Sequence, residues 1–449
     1  MKKRLNLYSK NIPISEFHIR ISLIIATFVM IILRFLLNEK GRVNPDSIRY
    51  MRTANVFPII DNTVTPLGYP LSLKFFTLFG FDEFWASKIV GILSYLLIIY
   101  FAAKTKFYLK ETILIGGLFS FVSIFSYTMS EAFILPVVFL FLFIAQKIIT
   151  EEIKGWKAVL YLSLILILLY NIRYPALFLM FATGLFGVLK YKKSCGKIFI
   201  ISGLAGFLFV VAYKFLFIDY FDEKYVSTFL EIGLHTTSQL LIELFQGLTT
   251  VFNPFIHIAN PSGGIINVGI YGLGLLNIFL MVFLFTKNKL SETEFFFVFV
   301  GIVGIICSYF IQYFYSVNPI DYRLMAPFSF GIWLVYFKKL FAIFGKLTYG
   351  ITVLSLITGF VFTWLSKGNY LENRREIARF LKEEHLDKGR VNFYMENEFD
   401  LSKMQIAELI STVNPNVKVT FKPSDTLNQN VLTQYKVLQK IKIDTNKFQ

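Results

Sequence analysis

Cysteine and histidine are scarce in this chain of 449 residues, which has two of the first and four of the second. Cys195 lies in a polar loop and Cys307 in an apolar run, so the sequence predicts neither a disulfide framework nor a metal cluster. No two histidines fall at HxxxH or HExxH spacing, which argues against a zinc site. We therefore expect no cofactor, and nothing in the sequence supports a divalent metal.

Charged side chains are also few, at 16% of residues, whereas 55% are hydrophobic and the mean hydropathy is +0.60. Soluble domains are usually about 45–50% apolar. The excess is concentrated in blocks of roughly 17–25 residues, the length that crosses the hydrocarbon of a bilayer. The sequence therefore predicts an all-α polytopic membrane protein with about eleven spans. The predicted spans are 20–37, 84–102, 111–127, 131–149, 157–171, 174–190, 197–218, 264–286, 295–315, 323–343 and 347–366.

The net charge of +16 does not require a nucleic-acid partner. Lysines cluster in short loops that alternate with loops poorer in lysine, which is the positive-inside pattern. Attraction to the anionic headgroups of membrane lipids accounts for the excess charge. The pattern places the N-terminus in the cytoplasm. The lysines concerned are Lys104, Lys106, Lys110, Lys147, Lys154, Lys157, Lys190, Lys192, Lys193, Lys197, Lys287, Lys289, Lys338, Lys339 and Lys346.

Three segments fall outside the membrane on the far side in this topology: 38–83, 219–263 and the C-terminal tail. Apolar stretches in the first of them favour helices that lie on the membrane surface. After Trp364 the chain becomes polar, and helical periodicity alternates with short β-type runs. We therefore divide the chain into a transmembrane domain, residues 1–366, and a small extracytoplasmic α/β domain, residues 367–449.

A short polar stretch follows the first span and contains Asp46, Arg49 and Tyr50. The structural interpretation of Asp46 is a helix N-cap, because it precedes a helical pattern and follows Pro45. The functional interpretation rests on location: a carboxylate at the outer surface, with an arginine that binds phosphate and a tyrosine that packs on a sugar ring.

Other ionisable residues lie at the outer edges of predicted spans, where charge is costly and often functional. Glu131 begins the fourth span, and Arg173 and Arg323 lie at outer ends of later ones. Snorkelling to headgroups is the alternative for the two arginines, but a pair of guanidinium groups also fits a phosphate clamp. Tyr174 and Tyr322 belong to an interfacial aromatic belt or contact the substrate. His235 and His257 are interpreted as ordinary loop residues.

These motifs together resemble the GT-C superfamily of membrane glycosyltransferases, in particular its protein O-mannosyltransferase and lipid A aminoarabinose transferase branch. The stretch from Asp46 to Tyr50 looks like the first-loop Asp-(Glu)-x-Arg-Tyr motif of that family. Ser130-Glu131 looks like its second acidic position, and Arg323 to Pro327 resembles its late Arg-x-x-x-Pro span. One departure is Thr65, which occupies the position of a phosphate-binding lysine in that branch, and Lys74 is a candidate replacement.

The resemblance implies a GT-C-like fold and inverting transfer of a sugar from a polyprenyl-phosphate donor to a lipid, glycan or protein acceptor. It makes Asp46 the general base and gives Glu131 a role in orienting the acceptor. It assigns donor binding to Arg49, Lys74, Arg173 and Arg323, and substrate contacts to Tyr50, Tyr174 and Tyr322.

Two other classes remain open. A polysaccharide polymerase of the Wzy type, or an O-antigen ligase, would depend on arginine and histidine in segment 219–263 instead of on Asp46. A transporter or flippase would show two related halves with broken helices at the midplane, which the sequence lacks. Richness in Phe, Ile, Lys and Asn is typical of a low-GC bacterium, so we expect the bacterial inner (plasma) membrane.

Overall fold

A computed structural model describes residues 15–60, 64–224, 237–258, 264–315, 321–397, 400–423 and 431–432. Residues 1–14, His235 and other parts of segment 219–263 lie outside these ranges. The described chain is overwhelmingly helical. Its helices are α1 Glu16–Leu36, α2 Pro45–Val56, α3 Gly68–Thr77, α4 Glu83–Thr105, α5 Leu109–Gly116, α6 Phe119–Ser126, α7 Ser130–Ile149, α8 Gly155–Ile172, α9 Leu177–Leu189, α10 Ser194–Tyr213, α11 Asp219–Phe221, α12 Thr237–Val251, α13 Ile265–Lys287, α14 Glu292–Phe314, α15 Tyr322–Phe344, α16 Tyr349–Leu365, α17 Tyr370–Glu383 and α18 Leu401–Ser411.

Eight helical stretches in the described residues are long and apolar enough to cross a membrane, or nine if a bent pair counts as one span. This is fewer than the eleven predicted. Tyr174–Leu189 is helical but shorter than a full span, and the 44-residue stretch Tyr322–Leu365 counts once. That stretch nevertheless turns back on itself at Gly345, where φ is +53°. It therefore contains two of the predicted segments, α15 and α16.

The bent pair is α5 and α6, whose axes meet at 72°. The bend lies at Gly117, where an added Cβ would sit 2.3 Å from Thr352 Cγ2. The backbone N–H of Phe119, freed at the break, donates to Ser355 Oγ at 2.8 Å. Backbone groups at membrane depth need such partners, so packing against α16 stabilises the break.

Ion pairs connect several lysine-rich loops with glutamates in the first turns of helices at one end of the bundle. Lys110 pairs with Glu16 at the start of α1, at 2.7 Å. Lys193 pairs with Glu292 at 2.6 Å, and Lys338 pairs with Glu294 at 2.8 Å. The segments that carry these three lysines thus lie at one end of the bundle, near the start of α1, and the Asp46 stretch follows the other end of α1. The cytoplasmic placement of the lysine-rich end stays a prediction.

The C-terminal part forms the small α/β unit expected from the sequence. Strands β1 Val391–Tyr394, β2 Val417–Thr420 and β3 Val431–Leu432 make a parallel sheet in the order β2-β1-β3. Its residues share a hydrophobic core with α2, α3 and α4. Tyr370 packs on Phe84 with ring centroids 5.1 Å apart, and buried Lys40 pairs with buried Glu408 at 2.5 Å. This unit therefore braces the segment that carries Asp46.

Candidate active site

Helix α2 presents Asp46 without using it as a cap. The N-cap is Asn44, whose side chain accepts from the Ser47 N–H while the Ser47 hydroxyl accepts from the Asn44 N–H. The structural interpretation of Asp46 as the N-cap is therefore wrong. Its side chain is 54% exposed and lies 3.9 Å from Arg49, which is 50% exposed. Such an exposed pair contributes about 0–1 kcal/mol, so the Asp46 carboxylate remains available.

A buried ion pair lies at the same end of the bundle. Glu131, in the first turn of α7, approaches Arg173, the residue that ends α8, with Oε1 and Nη1 3.1 Å apart. The two side chains are 1% and 9% exposed. Two residues placed far apart in the sequence are thus brought into direct contact, and each neutralises the other.

Tyr50 connects Asp46 with this pair. It lies one helical turn after Asp46, on the same face of α2, and its hydroxyl is 3.1 Å from Ser130 Oγ, next to Glu131. Burial raises the pKa of Tyr50 above its ordinary value; the positive charge of Arg173 opposes that shift, whereas Asp46 and Glu131 reinforce it. Asp46, Tyr50, Glu131 and Arg173 therefore share one electrostatic environment, which we call the Asp46 group.

A second set of polar residues lies beside the first. Arg323, near the start of α15, pairs with the N-cap Asp321 at 2.7 Å. Its guanidinium carbon lies 5.2 Å from the centre of the Tyr127 ring. The hydroxyl of Tyr322 accepts from Arg42 Nη2 at 3.3 Å. Tyr127 lies four residues before Glu131 in the chain, which places this set next to the Asp46 group.

Three other residues of the sequence prediction lie elsewhere. Lys74 Nζ donates to the carbonyl of Asn55 at 3.4 Å. Asn55 is nine residues after Asp46, or about 14 Å along α2, so Lys74 does not join the Asp46 group. Thr65 is buried, and its hydroxyl has no hydrogen-bond partner in the described part of the chain. Tyr174 follows Arg173 but packs on Tyr170, with ring centroids 5.2 Å apart.

Two arginines that the sequence analysis did not single out, and one histidine that it did not assign to the site, lie buried in this region. Arg34 lies in the last turn of α1 and Arg42 in the following loop, and both are 1% exposed. His257 lies in a loop, as expected, but it is 4% exposed and its ring centroid lies 4.0 Å from that of Tyr322. A charge inside an apolar span is itself a functional signal, and Arg34 carried that signal.

Metal ligands do not converge in the described part of the chain, where no group of three His, Cys, Asp or Glu residues could hold an ion. The expectation that no metal or cofactor is needed stays a prediction.

Comparisons with protein-family models and with curated proteins find no match. Among solved structures, the chain is similar to ArnT from Cupriavidus metallidurans in the apo state, at 13% identity and a TM-score of 0.42, over 95% of this chain and 91% of that one. ArnT bound to undecaprenyl phosphate gives 12% identity and a TM-score of 0.41, over 93% and 90% of the two chains. The oligosaccharyltransferase AglB from Archaeoglobus fulgidus, in complex with an inhibitory peptide and a dolichol-phosphate, gives 11% identity and a TM-score of 0.42. The match covers 89% of this chain but 64% of AglB, so this chain spans less than two thirds of that protein.

Proposed function

We propose that this protein is a membrane glycosyltransferase that moves a sugar from a polyprenyl-phosphate donor to an acceptor hydroxyl at the outer face of the membrane. The observation that carries the proposal is the Asp46 carboxylate, exposed and not used as a cap, beside the buried Glu131–Arg173 pair. Two of these residues, Asp46 and Glu131, also belong to the sequence motifs that resemble GT-C enzymes.

Asp46 is assigned as the general base. Its carboxylate takes the proton of the acceptor hydroxyl as that oxygen attacks C1 of the donor sugar. The C1–O bond to phosphate breaks on the opposite side, so the configuration at C1 inverts. General bases typically contribute about 10²–10⁴-fold to the rate. The 54% exposure of Asp46 leaves room for an acceptor to approach.

Glu131 and Arg173 are assigned as the support of this base. Because the pair is buried and mutually neutralised, it holds Ser130 and hence the hydroxyl of Tyr50 in place. Tyr50 then orders the face of α2 on which Asp46 lies. Arg49 is half exposed at 3.9 Å from Asp46, where it can contact an anionic substrate.

Apolar surface for an isoprenoid chain lies on both sides of the site. One groove of about 740 Å³ runs between α9, α10 and α14, and begins at Leu177, close in sequence to Arg173. Another of about 640 Å³ lies between α3, α4 and α7 and reaches Phe133, two residues from Glu131. Either groove supplies surface that matches the lipid part of the donor.

The test is an assay of sugar transfer by the purified protein from a panel of undecaprenyl-phosphate-linked hexoses and pentoses. The measured quantity is the release of undecaprenyl phosphate. We expect Asp46→Asn to lower turnover about 10²–10⁴-fold. Glu372→Gln is the matched control, because Glu372 is also an exposed acid in the first turn of a helix. Wild-type turnover in Asp46→Asn, or a product that retains the donor configuration, would contradict the proposal.

A polysaccharide polymerase or ligase is the second candidate, and the placement of His257 favours it. That histidine belongs to segment 219–263, and its ring packs against the ring of Tyr322, whose hydroxyl accepts a hydrogen bond from Arg42. Two variants distinguish the candidates. A polymerase or ligase should keep its activity in Asp46→Asn and lose it in His257→Gln. The glycosyltransferase proposed first should lose more activity in Asp46→Asn than in His257→Gln.

A further inference from the structure

Two buried arginines have nitrogen atoms without acceptors. Arg34 donates from Nη1 to Ser366 Oγ at 3.1 Å, but its Nε and Nη2 have no partner among the described residues. Arg42 donates from Nη2 to the Tyr322 hydroxyl at 3.3 Å, but in the same part of the chain its Nε and Nη1 have none. Within the described ranges, neither guanidinium has a carboxylate within 4.0 Å, in contrast to Arg173 and Arg323.

Aromatic rings surround these two charges and compensate them only in part. The Arg42 guanidinium carbon lies 3.7 Å from the centre of the Tyr127 ring, and that of Arg34 lies 5.0 Å from the centre of the Phe119 ring. A desolvated cation–π contact recovers only part of the hydration free energy that a buried ion loses. Removing an ion from water costs several kcal/mol even after relaxation. The site therefore holds about two positive charges that no carboxylate in the described ranges balances.

The ionisable neighbours respond to this excess charge. Burial raises the pKa of Tyr127, but the positive charges of Arg42, Arg323, Lys40 and Arg34 outweigh it and leave that pKa below its ordinary value. Burial lowers the pKa of His257, and Arg34, Arg42 and Arg323 lower it further. His257 is thus neutral at pH 7, and both its ring nitrogens lack a hydrogen-bond partner within the described segments. It adds no charge but can donate one hydrogen bond to an anion.

These groups form one contiguous unit, which we call the arginine cluster: Arg34, Arg42, Phe119, Tyr127, His257 and Tyr322. The ring of His257 contacts those of Phe119 and Tyr322, with centroids 4.6 and 4.0 Å away. The members come from α1, three loops, the bend between α5 and α6, and the start of α15. One guanidinium group can donate two parallel hydrogen bonds to the oxygens of a phosphate. The nitrogens of Arg34 and Arg42 that lack a partner in the described chain are therefore suited to bind a phosphate group.

The charge count identifies which phosphate fits. A sugar phosphodiester of a polyprenyl carrier has one negative charge, whereas the polyprenyl phosphate released from it has about two at neutral pH. We propose that Arg34 and Arg42 form the leaving-group site, which binds the phosphate of the polyprenyl carrier and favours its dianion. The lipid identity rests on the proposed function. During transfer the electron pair of the broken C1–O bond passes to the phosphate oxygen, and the acceptor proton passes to Asp46. Groups that bind the charge developing in this step lower its barrier.

This assignment replaces the phosphate clamp that the sequence suggested. Arg173 and Arg323 already pair with Glu131 and Asp321, at 3.1 and 2.7 Å, and so have less charge to offer. Lys74 lies at the far end of α2. Arg34 and Arg42 are covered by protein in this conformation, so the arginine cluster must open locally before a phosphate can bind. Binding is therefore measured at equilibrium, after this opening has had time to occur.

The test is equilibrium binding at pH 8 to the full-length protein in phosphatidylcholine nanodiscs. The probes are undecaprenyl phosphate, its methyl phosphodiester, undecaprenol and inorganic phosphate. We expect the phosphate to bind at least tenfold more tightly than the methyl diester, and undecaprenol to bind weakly. Arg34→Gln and Arg42→Gln should each weaken the phosphate at least tenfold and the diester less. Arg20→Gln is the matched control, because Arg20 lies on the same helix at the opposite membrane face.

Each outcome decides the proposal. Wild-type affinity for undecaprenyl phosphate in both glutamine variants overturns it, as does equal affinity for undecaprenol. Binding of inorganic phosphate without binding of the lipid overturns the leaving-group assignment. Thermal stability separates a binding role from a structural one: glutamine in place of an unbalanced charge should leave the melting temperature unchanged or higher. If both glutamine variants unfold more easily, and Arg34→Lys and Arg42→Lys restore the melting temperature without restoring the preference for the dianion, the arginines are structural.

The test is independent of the catalytic base. Asp46→Asn should retain wild-type binding of undecaprenyl phosphate, because Asp46 belongs to the neighbouring group. If Asp46→Asn loses turnover but keeps its binding of undecaprenyl phosphate, both the general base and the leaving-group site are supported. If Asp46→Asn keeps its turnover while the arginine variants lose binding, only the assignment of Asp46 as the base is rejected.

Discussion

The buried Glu131–Arg173 pair offers a quantitative test of the candidate site. The Glu131 side chain is 1% exposed, and Arg173 lies 3.1 Å away at 9% exposure. Glu131→Gln keeps the size of the side chain but removes its charge, which leaves the Arg173 guanidinium buried without a counter-ion. Breaking a buried pair in this way typically costs about 3–5 kcal/mol, so we expect the free energy of unfolding to fall by about that amount.

The double variant Glu131→Gln with Arg173→Met distinguishes the pair from a general effect of the substitution. Replacing both ions with uncharged groups is often close to neutral. We therefore expect the double variant to be more stable than Glu131→Gln alone by about 2–3 kcal/mol, which falls in the usual range of coupling energies between contacting residues.

The assay is equilibrium unfolding by sodium dodecyl sulfate in mixed micelles, followed by circular dichroism. Glu372→Gln is the control for loss of an exposed acidic charge and should change stability by less than about 0.5 kcal/mol. A Glu131→Gln variant within about 1 kcal/mol of wild type, or a double variant whose loss equals the sum of the single ones, would refute the pair and with it the support assigned to Tyr50.

Two further predictions concern the packing around the site. Lys40→Met removes the cation beside buried Glu408, whose pKa burial already raises, so we expect a loss of about 3 kcal/mol at pH 7. Because the folded protein then favours the protonated acid, this loss should shrink as the pH falls toward the unfolded value of about 4.3; a loss independent of pH in thermal unfolding would contradict it. Gly91→Ala would place a Cβ 2.2 Å from the carbonyl oxygen of Phe125 and force α4 and α6 apart, so we expect a net loss of about 1–2 kcal/mol. The control Gly272→Ala meets no atom within 4 Å and should not destabilise the protein, and equal effects of the two in thermal unfolding would show that α4 and α6 are not so closely packed.

The sequence was sufficient for the helical class, the polar C-terminal unit and the placement of the loops around Lys110, Lys193 and Lys338 at one end. Apolar runs of spanning length and alternating loop charge are local properties, and a bilayer imposes them residue by residue. The count of spans was less secure, because hydropathy does not distinguish a straight span from a helix bent at Gly117 or a short one such as Tyr174–Leu189. Those differences arise from packing between helices.

The sequence by itself also singled out Asp46, since an acid after the first span is visible without a structure. Only the tertiary structure decided that Asn44 caps the helix and leaves Asp46 exposed, that Glu131 neutralises Arg173, and that Lys74 lies at the far end of α2. It also revealed Arg34 and Arg42 as buried charges without carboxylate partners among the described residues. The physical reason is that whether a charge is paired depends on the distance between side chains far apart in the chain, which neither composition nor spacing contains.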